Sequence, residues 1–423
     1  MIQGKRVFLI TALFLVCKLV NSQEIEQWRG PKRDGIFPET GLLKQWPAEG
    51  PKLLWTNELL PKGYSSACVA PVGIFTTGII DTMDAVIGMS LTGEIKWKTP
   101  YGRYWKASFS DSRCTPTFEN NKLYVTSGNG DVACIDALTG SIIWKVNASE
   151  KFGGTYGEWG IAESILILGD KIFFTPGGPK TTLVALNKNT GETIWASETL
   201  NDEPGYGSPN LIEYGGRKLI VNITGLYLIA VDPDNGKIVW KVKYFDINSA
   251  ASIKVWPDAP KINTFTPIMD NGYLYITQGY DHCGAMFKLA DDASSASLVW
   301  TDSLLDVHHG GVIWMNGYIY GSNWTSNSDG QWCCIESKTG KKIYEQAWNC
   351  KGSIISADGL LYIYDEKKGY VGLLKPNPEK FDLISSFKVP KGSGPHWAHP
   401  VIKDGTLYIR HGNALMAYNI KIQ

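Results

Sequence analysis

Ten polar and aromatic side chains in this sequence have the types needed to hold a small ligand. Histidine, arginine, lysine and glutamate form hydrogen bonds with hydroxyl or carboxylate groups, and planar indole and phenol rings cover apolar faces. The candidates are Arg113, Glu158, Trp159, Tyr206, His308, His309, Lys351, His396, Trp397 and His399. This combination predicts binding of a carbohydrate-like or other small polar ligand. The sequence assigns no residue to catalysis.

A metal site is one alternative use of the histidines. Imidazoles suit zinc, copper, iron or nickel, so His308, His309, His396 and His399 form a candidate ligand set. Adjacent residues of a strand point in opposite directions. We therefore expect that the four histidines do not share one ion, and we expect no metal.

A polysaccharide lyase or hydrolase is another alternative. His308 or His396 would act as the base and Tyr206 as the acid, while Arg113 would neutralise a substrate carboxylate. The sequence contains no glycine-rich phosphate loop, nucleophile elbow or zinc-protease motif. The residue types permit this chemistry, and nothing in the sequence establishes its geometry.

A tryptophan-marked phrase recurs along the chain and predicts the elements that position these side chains. Clear copies occupy residues 91–97, 138–144, 189–195 and 234–240, and weaker copies end at Trp300, Tyr344 and Phe387. Around each copy, alternating apolar and polar runs are bounded by glycine, asparagine and aspartate, which is typical of antiparallel strands. Four such strands per repeat form a propeller blade.

The repeats predict eight blades. First strands are expected near Ala70, Thr115, Glu163, Ser208, Thr266, Gly311, Ser353 and His399. The last repeat lacks a fourth strand, whereas an unpartnered strand around Trp55 precedes the first repeat. We therefore predict an all-β, eight-bladed propeller of four-stranded antiparallel blades, closed by an N-terminal strand that completes the last blade and removes an open sheet edge.

The ligand candidates are predicted to lie on one face of this ring. The connections between second and third strands, and those between blades, are long and share one face, which we call the long-loop face. All six histidines map to these connections. Loops on a rigid scaffold carry most binding residues. Segments that enter first strands lie nearest the ring axis, and they contain the ten candidates.

The N-terminus indicates export. Lys5 and Arg6 precede an apolar run, and cleavage is expected after Ser22, so residues 1–22 are predicted to be a signal peptide. The run is too short to span a membrane. Residues 23–423 would then form one domain in the periplasm or outside the cell. A formal net charge of +0 argues against nucleic acid as a partner.

The repeat grammar resembles that of quinoprotein-type propellers. Residues 136–144 read Asp-x-x-Thr-Gly-x-x-x-Trp, and residues 28–35 resemble the opening of bacterial PQQ-binding-like β-propeller repeat proteins. The resemblance covers nearly all of the mature chain. It extends to quinoprotein alcohol dehydrogenases and to the outer-membrane assembly propeller. It therefore implies, as an alternative, a cell-envelope protein as partner.

The resemblance also implies an alternative activity, the oxidation of alcohols or sugars with pyrroloquinoline quinone and calcium. In such enzymes the quinone lies on the ring axis beside a vicinal disulfide and a stacking tryptophan. Counted back from the turn glycine, Cys334 aligns with Cys134 and Ala185, which are small residues of a third strand. Cys333 and Cys334 are therefore expected to pack within a blade, and no cofactor is expected.

Seven cysteines remain after the predicted cleavage. The odd number leaves at least one thiol without an internal partner. Cys68 and Cys114 precede the first strands of adjacent blades, so a bridge between them is one option.

Overall fold

The computed structural model describes residues 25–250 and 261–422. The predicted signal peptide, residues 1–22, lies outside the described residues. The described strands form eight antiparallel sheets in sequence order, which confirms the eight-bladed propeller. No helix in the described ranges has the length and apolar character needed to cross a membrane.

Strands β1 (Ile36–Phe37) and β2 (Lys52–Asn57) precede the first blade. The first four blades contain four consecutive strands each: β3 (Cys68–Ala70), β4 (Gly73–Ile80), β5 (Met83–Met89), β6 (Ile95–Arg103); β7 (Thr117–Glu119), β8 (Lys122–Thr126), β9 (Asp131–Asp136), β10 (Ile142–Asn147); β11 (Leu166–Leu168), β12 (Lys171–Phe174), β13 (Val184–Asn187), β14 (Thr193–Ala196); β15 (Asn210–Tyr214), β16 (Arg217–Ile223), β17 (Tyr227–Val231), β18 (Ile238–Lys243). Two short helices, α1 (Ala148–Phe152) and α2 (Tyr244–Ala250), follow β10 and β18.

The remaining blades continue this order, and the eighth contributes only three strands of its own. They are β19 (Ile268–Asp270), β20 (Tyr273–Ile276), β21 (Gly284–Leu289), β22 (Ala296–Asp302); β23 (Val312–Met315), β24 (Tyr318–Ser322), β25 (Trp332–Glu336), β26 (Lys342–Gln346); β27 (Gly352–Ala357), β28 (Leu360–Asp365), β29 (Tyr370–Lys375), β30 (Asp382–Lys388); β31 (Val401–Lys403), β32 (Thr406–His411), β33 (Ala414–Asn419). The predicted first strands thus lie within three residues of their observed positions.

Strand β2 closes the ring by pairing with the last blade. It runs antiparallel to β33, with Trp55 opposite Ala417 and Thr56 opposite Met416. This pairing confirms the predicted closure. Strand β2 is also the outer partner of β33. The backbone N–H and C=O groups of β33 are therefore paired instead of exposed at an open sheet edge.

Most of the recurring tryptophans pack against the turn glycine of the next blade. A Cβ atom at Gly140 would lie 2.6 Å from the ring of Trp97, and one at Gly191 would lie 2.6 Å from the ring of Trp144. Trp144 also donates from Nε1 to the carbonyl of Lys188 at 3.0 Å. Both glycines have positive φ angles, which glycine adopts at little cost. The repeated tryptophan and glycine therefore form contacts between neighbouring blades, and the glycine also forms the turn within its own blade.

We expect Gly191→Ala to lower the free energy of unfolding by about 3 kcal/mol. An alanine at positive φ costs about 1 kcal/mol, and its methyl group would overpack against Trp144 at roughly 1–3 kcal/mol more. Gly216 is the matched control, because its φ is +72 beside +74 at Gly191 and no atom lies within 4 Å of its Cβ position. Urea unfolding followed by fluorescence measures both variants. Equal losses in the two would show that the ring contact contributes nothing.

Small residues face several of these large rings across the outer strand pairs. Cys134 lies opposite Trp144, and Cys334 lies opposite Tyr344. Cys333, its neighbour in β25, packs into a different hydrophobic cluster. The prediction that Cys334 occupies a small core position of a third strand is confirmed.

The seven cysteines in the described ranges are buried, and none of them forms a disulfide bond. Cys68 and Cys114 share one hydrophobic cluster with Phe75 and Leu123, without a bridge between them. Burial raises the pKa of the Cys114 thiol to about 11. These thiols therefore behave as small apolar side chains rather than as nucleophiles.

The N-terminal segment 25–37 crosses the ring between the inner strands, a placement that the sequence did not predict. Strand β1 pairs in parallel with β27, with Ile36 opposite Ser356. On the other side of the ring, Glu26 bridges to Phe118 at the start of the second blade. We call residues 25–37 the axial segment.

Arg29 connects the axial segment to the sixth and seventh blades. Its Nη1 donates to the carbonyls of Ile354 at 3.0 Å and Gly310 at 3.3 Å. Its Nη2 donates to Val312 at 2.7 Å and to Asp34 of the same segment at 3.2 Å. Burial lowers the pKa of Arg29 to about 10, so the guanidinium remains charged at neutral pH.

Arg33 makes the equivalent connection to the third and fourth blades. Its Nη1 donates to the carbonyls of Ser164 at 2.9 Å and Pro209 at 3.0 Å, and its Nη2 donates to Ile165. Burial lowers its pKa to about 10, and the nearby Glu163 opposes that effect. Two buried cations thus hold the axial segment to opposite sides of the ring.

Candidate functional site

A cavity of about 350 Å³ opens on the ring axis at the long-loop face. Seven of the eight blades contribute a residue four positions before their first strand. These residues are Tyr64, Arg113, Ala162, Tyr206, Thr264, His308 and Trp397. One equivalent position in each of these seven blades therefore contributes to the wall of the cavity.

The structure brings seven of the ten sequence candidates to this cavity. They are Arg113, Trp159, Tyr206, His308, His309, Trp397 and His399. Glu158, Lys351 and His396 do not line it. The cavity also contains residues that the candidate set missed, namely Trp28, Tyr64, Phe109 and Tyr280. Tyr64 lies four residues before a first strand, like the other wall residues, so its position in the repeat could have identified it from the sequence.

The three other candidates lie away from the cavity. The Glu158 side chain is exposed. Lys351 is buried with its Nζ 2.5 Å from Glu366 Oε1. His396 stacks on His411 with ring centroids 3.6 Å apart, and its Nδ1 lies 2.5 Å from the hydroxyl of Tyr364. It therefore packs between blades instead of facing the axis.

Aromatic rings form an almost continuous wall. Trp397 contacts Tyr64 at 4.7 Å and His309 at 5.5 Å between ring centroids. Trp159 contacts Tyr206 at 5.1 Å and Tyr280 at 6.1 Å. Because each ring is packed against another, the wall is rigid and presents flat apolar surfaces broken by imidazole nitrogens.

Arg113 lines the cavity, and its guanidinium also holds loops in place. Its Nη1 donates to the carbonyl of Trp159, and its Nη2 donates to Phe109 and, at 3.2 Å, to Ser108. Burial lowers its pKa. A guanidinium engaged with these carbonyls is poorly placed to neutralise a substrate carboxylate. The lyase alternative therefore loses the role proposed for Arg113.

His399 is held in one neutral tautomer by Arg29. Arginine only donates, so His399 Nδ1 accepts from Arg29 Nη1 at 3.0 Å, and its Nε2 donates to the carbonyl of His309 at 2.9 Å. Burial, followed by the charge of Arg29, holds the pKa of His399 well below its usual value. Burial, followed by His411, lowers the pKa of His396 to about 3.

We expect these two histidines to make the protein sensitive to acid. Both imidazoles stay neutral in the folded state, whereas the unfolded chain protonates them below about pH 6.5. The unfolded state therefore binds more protons between about pH 6.5 and 3, and the free energy of unfolding falls as the pH decreases through that range. At pH 5 the loss should be about 1–2 kcal/mol for each group. Urea titrations of the parent and the His396→Gln/His399→Gln variant at pH 7 and 5 measure it, and identical pH dependence would contradict this account.

His308 and His309 lie on the same side of the chain, contrary to the expectation that they point in opposite directions. Their ring centroids are 4.6 Å apart. The reason is that residues 308 and 309 lie in a connection with a bend, not in a strand. With His396 between blades and the ring nitrogens of His399 engaged, the four-histidine metal set does not form.

Glu366 completes a different group with these two histidines. Its Oε2 lies 3.1 Å from His309 Nε2. The hydroxyl of Tyr280 lies 3.0 Å from His308 Nε2. Burial raises the pKa of Glu366, but the charges of His309 and Lys351 and the contact with Lys351 lower it overall. Burial, His309 and Lys351 hold the pKa of His308 well below its usual value.

The cavity does not fit the quinone and calcium arrangement implied by the resemblance. Among the described residues, no aspartate or glutamate lines it, so the carboxylate ligands of calcium are missing. Cys333 and Cys334 lie in β25 inside a blade, with their side chains in separate clusters. They offer no platform for a ring on the axis.

Two kinds of characterised protein show similarity to the sequence. The outer membrane protein assembly factor BamB of Kangiella koreensis is 25% identical over 182 residues, which cover 42% of this chain and 42% of that protein. The quinoprotein ethanol dehydrogenase of Pseudomonas aeruginosa is 29% identical over 154 residues, which cover 32% of this chain and 24% of that protein. The chain thus spans less than half of the length of either relative.

Solved structures show the same fold. BamB from Moraxella catarrhalis superimposes with a TM-score of 0.62 at 17% identity, covering 87% of this chain and 99% of that one. Quinohemoprotein alcohol dehydrogenase from Comamonas testosteroni superimposes with a TM-score of 0.63 at 12% identity, covering 93% and 79%. At this identity the likeness concerns the fold alone.

One family model matches residues 82–346, which is more than half of the chain. The match includes the four clear copies of the tryptophan phrase. It agrees with the observed blades and with the resemblance seen in the repeat. The chain therefore belongs to the family described as outer membrane protein assembly factor BamB.

Proposed function

We propose that this protein is an exported binding propeller that holds a small polar, carbohydrate-like ligand in its axial cavity. The observation that carries the proposal is the wall itself, in which packed indole and phenol rings alternate with imidazoles around about 350 Å³. Flat apolar faces with a few polar groups suit sugar rings, which have one apolar face and hydroxyl edges. The cavity is also within the size range of ligand sites. The reading of residues 1–22 as a signal peptide supports a periplasmic or secreted location.

We expect Trp397→Ala to weaken binding of such a ligand at least tenfold. The Trp397 ring contributes a large flat surface to the wall, and loss of a central aromatic typically costs about 2 kcal/mol. The measurement is a glycan array or affinity screen, followed by calorimetry on the parent, Trp397→Ala and Trp159→Ala. Trp348→Ala is the matched control, because Trp348 is half-buried in a blade-to-blade connection outside the cavity. If a ligand is found and both cavity variants bind it as tightly as the parent, the site lies elsewhere.

A partner protein is the second candidate, and the BamB family match favours it. Phe109 lies at the rim of the cavity and is 55% exposed. A docking protein would contact this rim, whereas a small ligand would contact the enclosed rings. Loss of an interaction in Phe109→Ala with Trp159→Ala unaffected would favour a partner from the cell envelope over a small ligand.

We further propose that pyrroloquinoline quinone is not a cofactor. The missing carboxylates and the position of Cys333 and Cys334 support this proposal. Quinone absorbance retained after dialysis with calcium, together with dye-linked oxidation of alcohols or aldoses, would instead establish the dehydrogenase alternative.

A further inference from the structure

We propose that His308, His309 and Glu366 bind a divalent transition-metal ion at the wall of the axial cavity. The two histidines enter the sixth blade, and Glu366 lies in the connection between β28 and β29 of the seventh. The packing of the sixth blade against the seventh brings the three residues together. One ligand atom from each residue lies within 4.8 Å of the others.

Each of the three residues has a buried polar atom that lacks a hydrogen bond. His308 Nδ1, His309 Nε2 and Glu366 Oε2 are buried, and none has a well-aligned hydrogen-bond partner in the described part of the chain. Although His309 Nε2 and Glu366 Oε2 are 3.1 Å apart, their orientation does not form a hydrogen bond. A buried polar atom without a partner costs roughly 1–3 kcal/mol. One cation between the three residues would satisfy all three atoms together.

Neighbouring side chains fix the orientation of His308 and Glu366, as is usual for the ligands of a metal ion. Lys351 Nζ binds the other oxygen of Glu366 at 2.5 Å. Tyr280 lies 3.0 Å from the other ring nitrogen of His308. Such contacts on the far side of each donor fix its orientation toward a metal ion. Ligand atoms about 2.0–2.1 Å from a tetrahedral ion lie roughly 3.3 Å apart, so small ring rotations close the group around an ion.

The donor set selects the class of ion. Two imidazoles and one carboxylate suit zinc or iron, whereas calcium and magnesium require mainly oxygen ligands. Three protein ligands leave at least one coordination position open. Since His308 and His309 also line the cavity, the ion would lie beside the space in which a ligand would bind. The proposal stands apart from the carbohydrate proposal, because metal binding is measured without any ligand.

The test uses the tag-free mature chain, stripped with a chelator and titrated with Zn²⁺ or Co²⁺. We expect one equivalent to bind, with Co²⁺ giving the visible absorption of a four- or five-coordinate site. His309→Gln and Glu366→Gln should each weaken binding at least tenfold, in line with the effect of changes in and around metal sites. Zn²⁺ should also raise the thermal midpoint of the parent and not that of the two variants.

His396→Gln is the matched control, because His396 belongs to the four-histidine set and lies outside this group. It should bind metal like the parent. Circular dichroism of each metal-free variant separates loss of ligands from loss of fold. Absence of stoichiometric binding by the parent would overturn the proposal. Unchanged affinity in folded His309→Gln, or equal loss in His396→Gln, would also overturn it.

Discussion

Replacing Arg29 with methionine is expected to lower the free energy of unfolding by about 3–5 kcal/mol. The guanidinium donates to four buried carbonyls, which belong to Asp34, Gly310, Val312 and Ile354. Methionine fills much of the volume but donates no hydrogen bond. Each carbonyl would then be buried without its partner, and the axial segment would lose its connection to the sixth and seventh blades.

Arg217→Met is the control for this change. Arg217 is exposed on β16, in the fourth blade. Its replacement should alter the free energy of unfolding by no more than about 0.5 kcal/mol. Urea unfolding of both variants gives the comparison. If Arg29→Met unfolds at the parent's urea concentration, the axial segment is not held by its arginines.

Removal of residues 23–60 is expected to abolish the cooperative thermal transition. The deletion removes the axial segment and strand β2 together. Strand β33 then loses its partner, and its backbone groups form an open edge that favours pairing with other chains. Differential scanning calorimetry and light scattering measure the lost transition and the aggregation.

Trp55→Ala separates the strand from its ring contact. This variant keeps β2 but removes the indole that covers Gly93. It should still unfold in one transition, at a lower temperature, with a loss of about 2–3 kcal/mol because the ring is only partly buried. A deletion chain that unfolds like the Trp55→Ala chain would show that strand closure adds little.

The fold was predictable because every blade carries its own local signals. The turn between β7 and β8, for example, contains Asn120 and Asn121, and both residues adopt the positive φ that asparagine tolerates. Eight repeats of such signals reinforce one another. Closure by Trp55 followed from counting strands, since one was missing at the end and one was extra at the start.

The site was predictable only where it follows the repeat. Tyr206, His308 and Trp397 occupy the same position in their blades and line the cavity. His396 lies one residue earlier than Trp397, and its contacts with Tyr364 and His411 come from the stacking of neighbouring blades. Glu366 gave no signal, because its nearness to His309 depends on how the sixth and seventh blades meet.

The axial segment was missed for a related reason. Residues 25–37 have no alternating pattern, and arginine is a residue usually found at the surface. The burial of Arg29 and Arg33 is determined by carbonyls from four different blades. The spacing of apolar residues predicts individual strands and helices. It does not predict the position of a segment whose contacts form only after several blades have assembled.

The axial segment also determines when folding can finish. Arg29 is synthesised long before its partners Gly310, Ile354 and His399, which are 281, 325 and 370 residues further along. Contacts of such sequence separation slow folding, because long loops must close before they form. Arg29 therefore has to remain without these partners until the sixth to eighth blades exist. Once in place, the segment can be released only by breaking its hydrogen bonds to four blades.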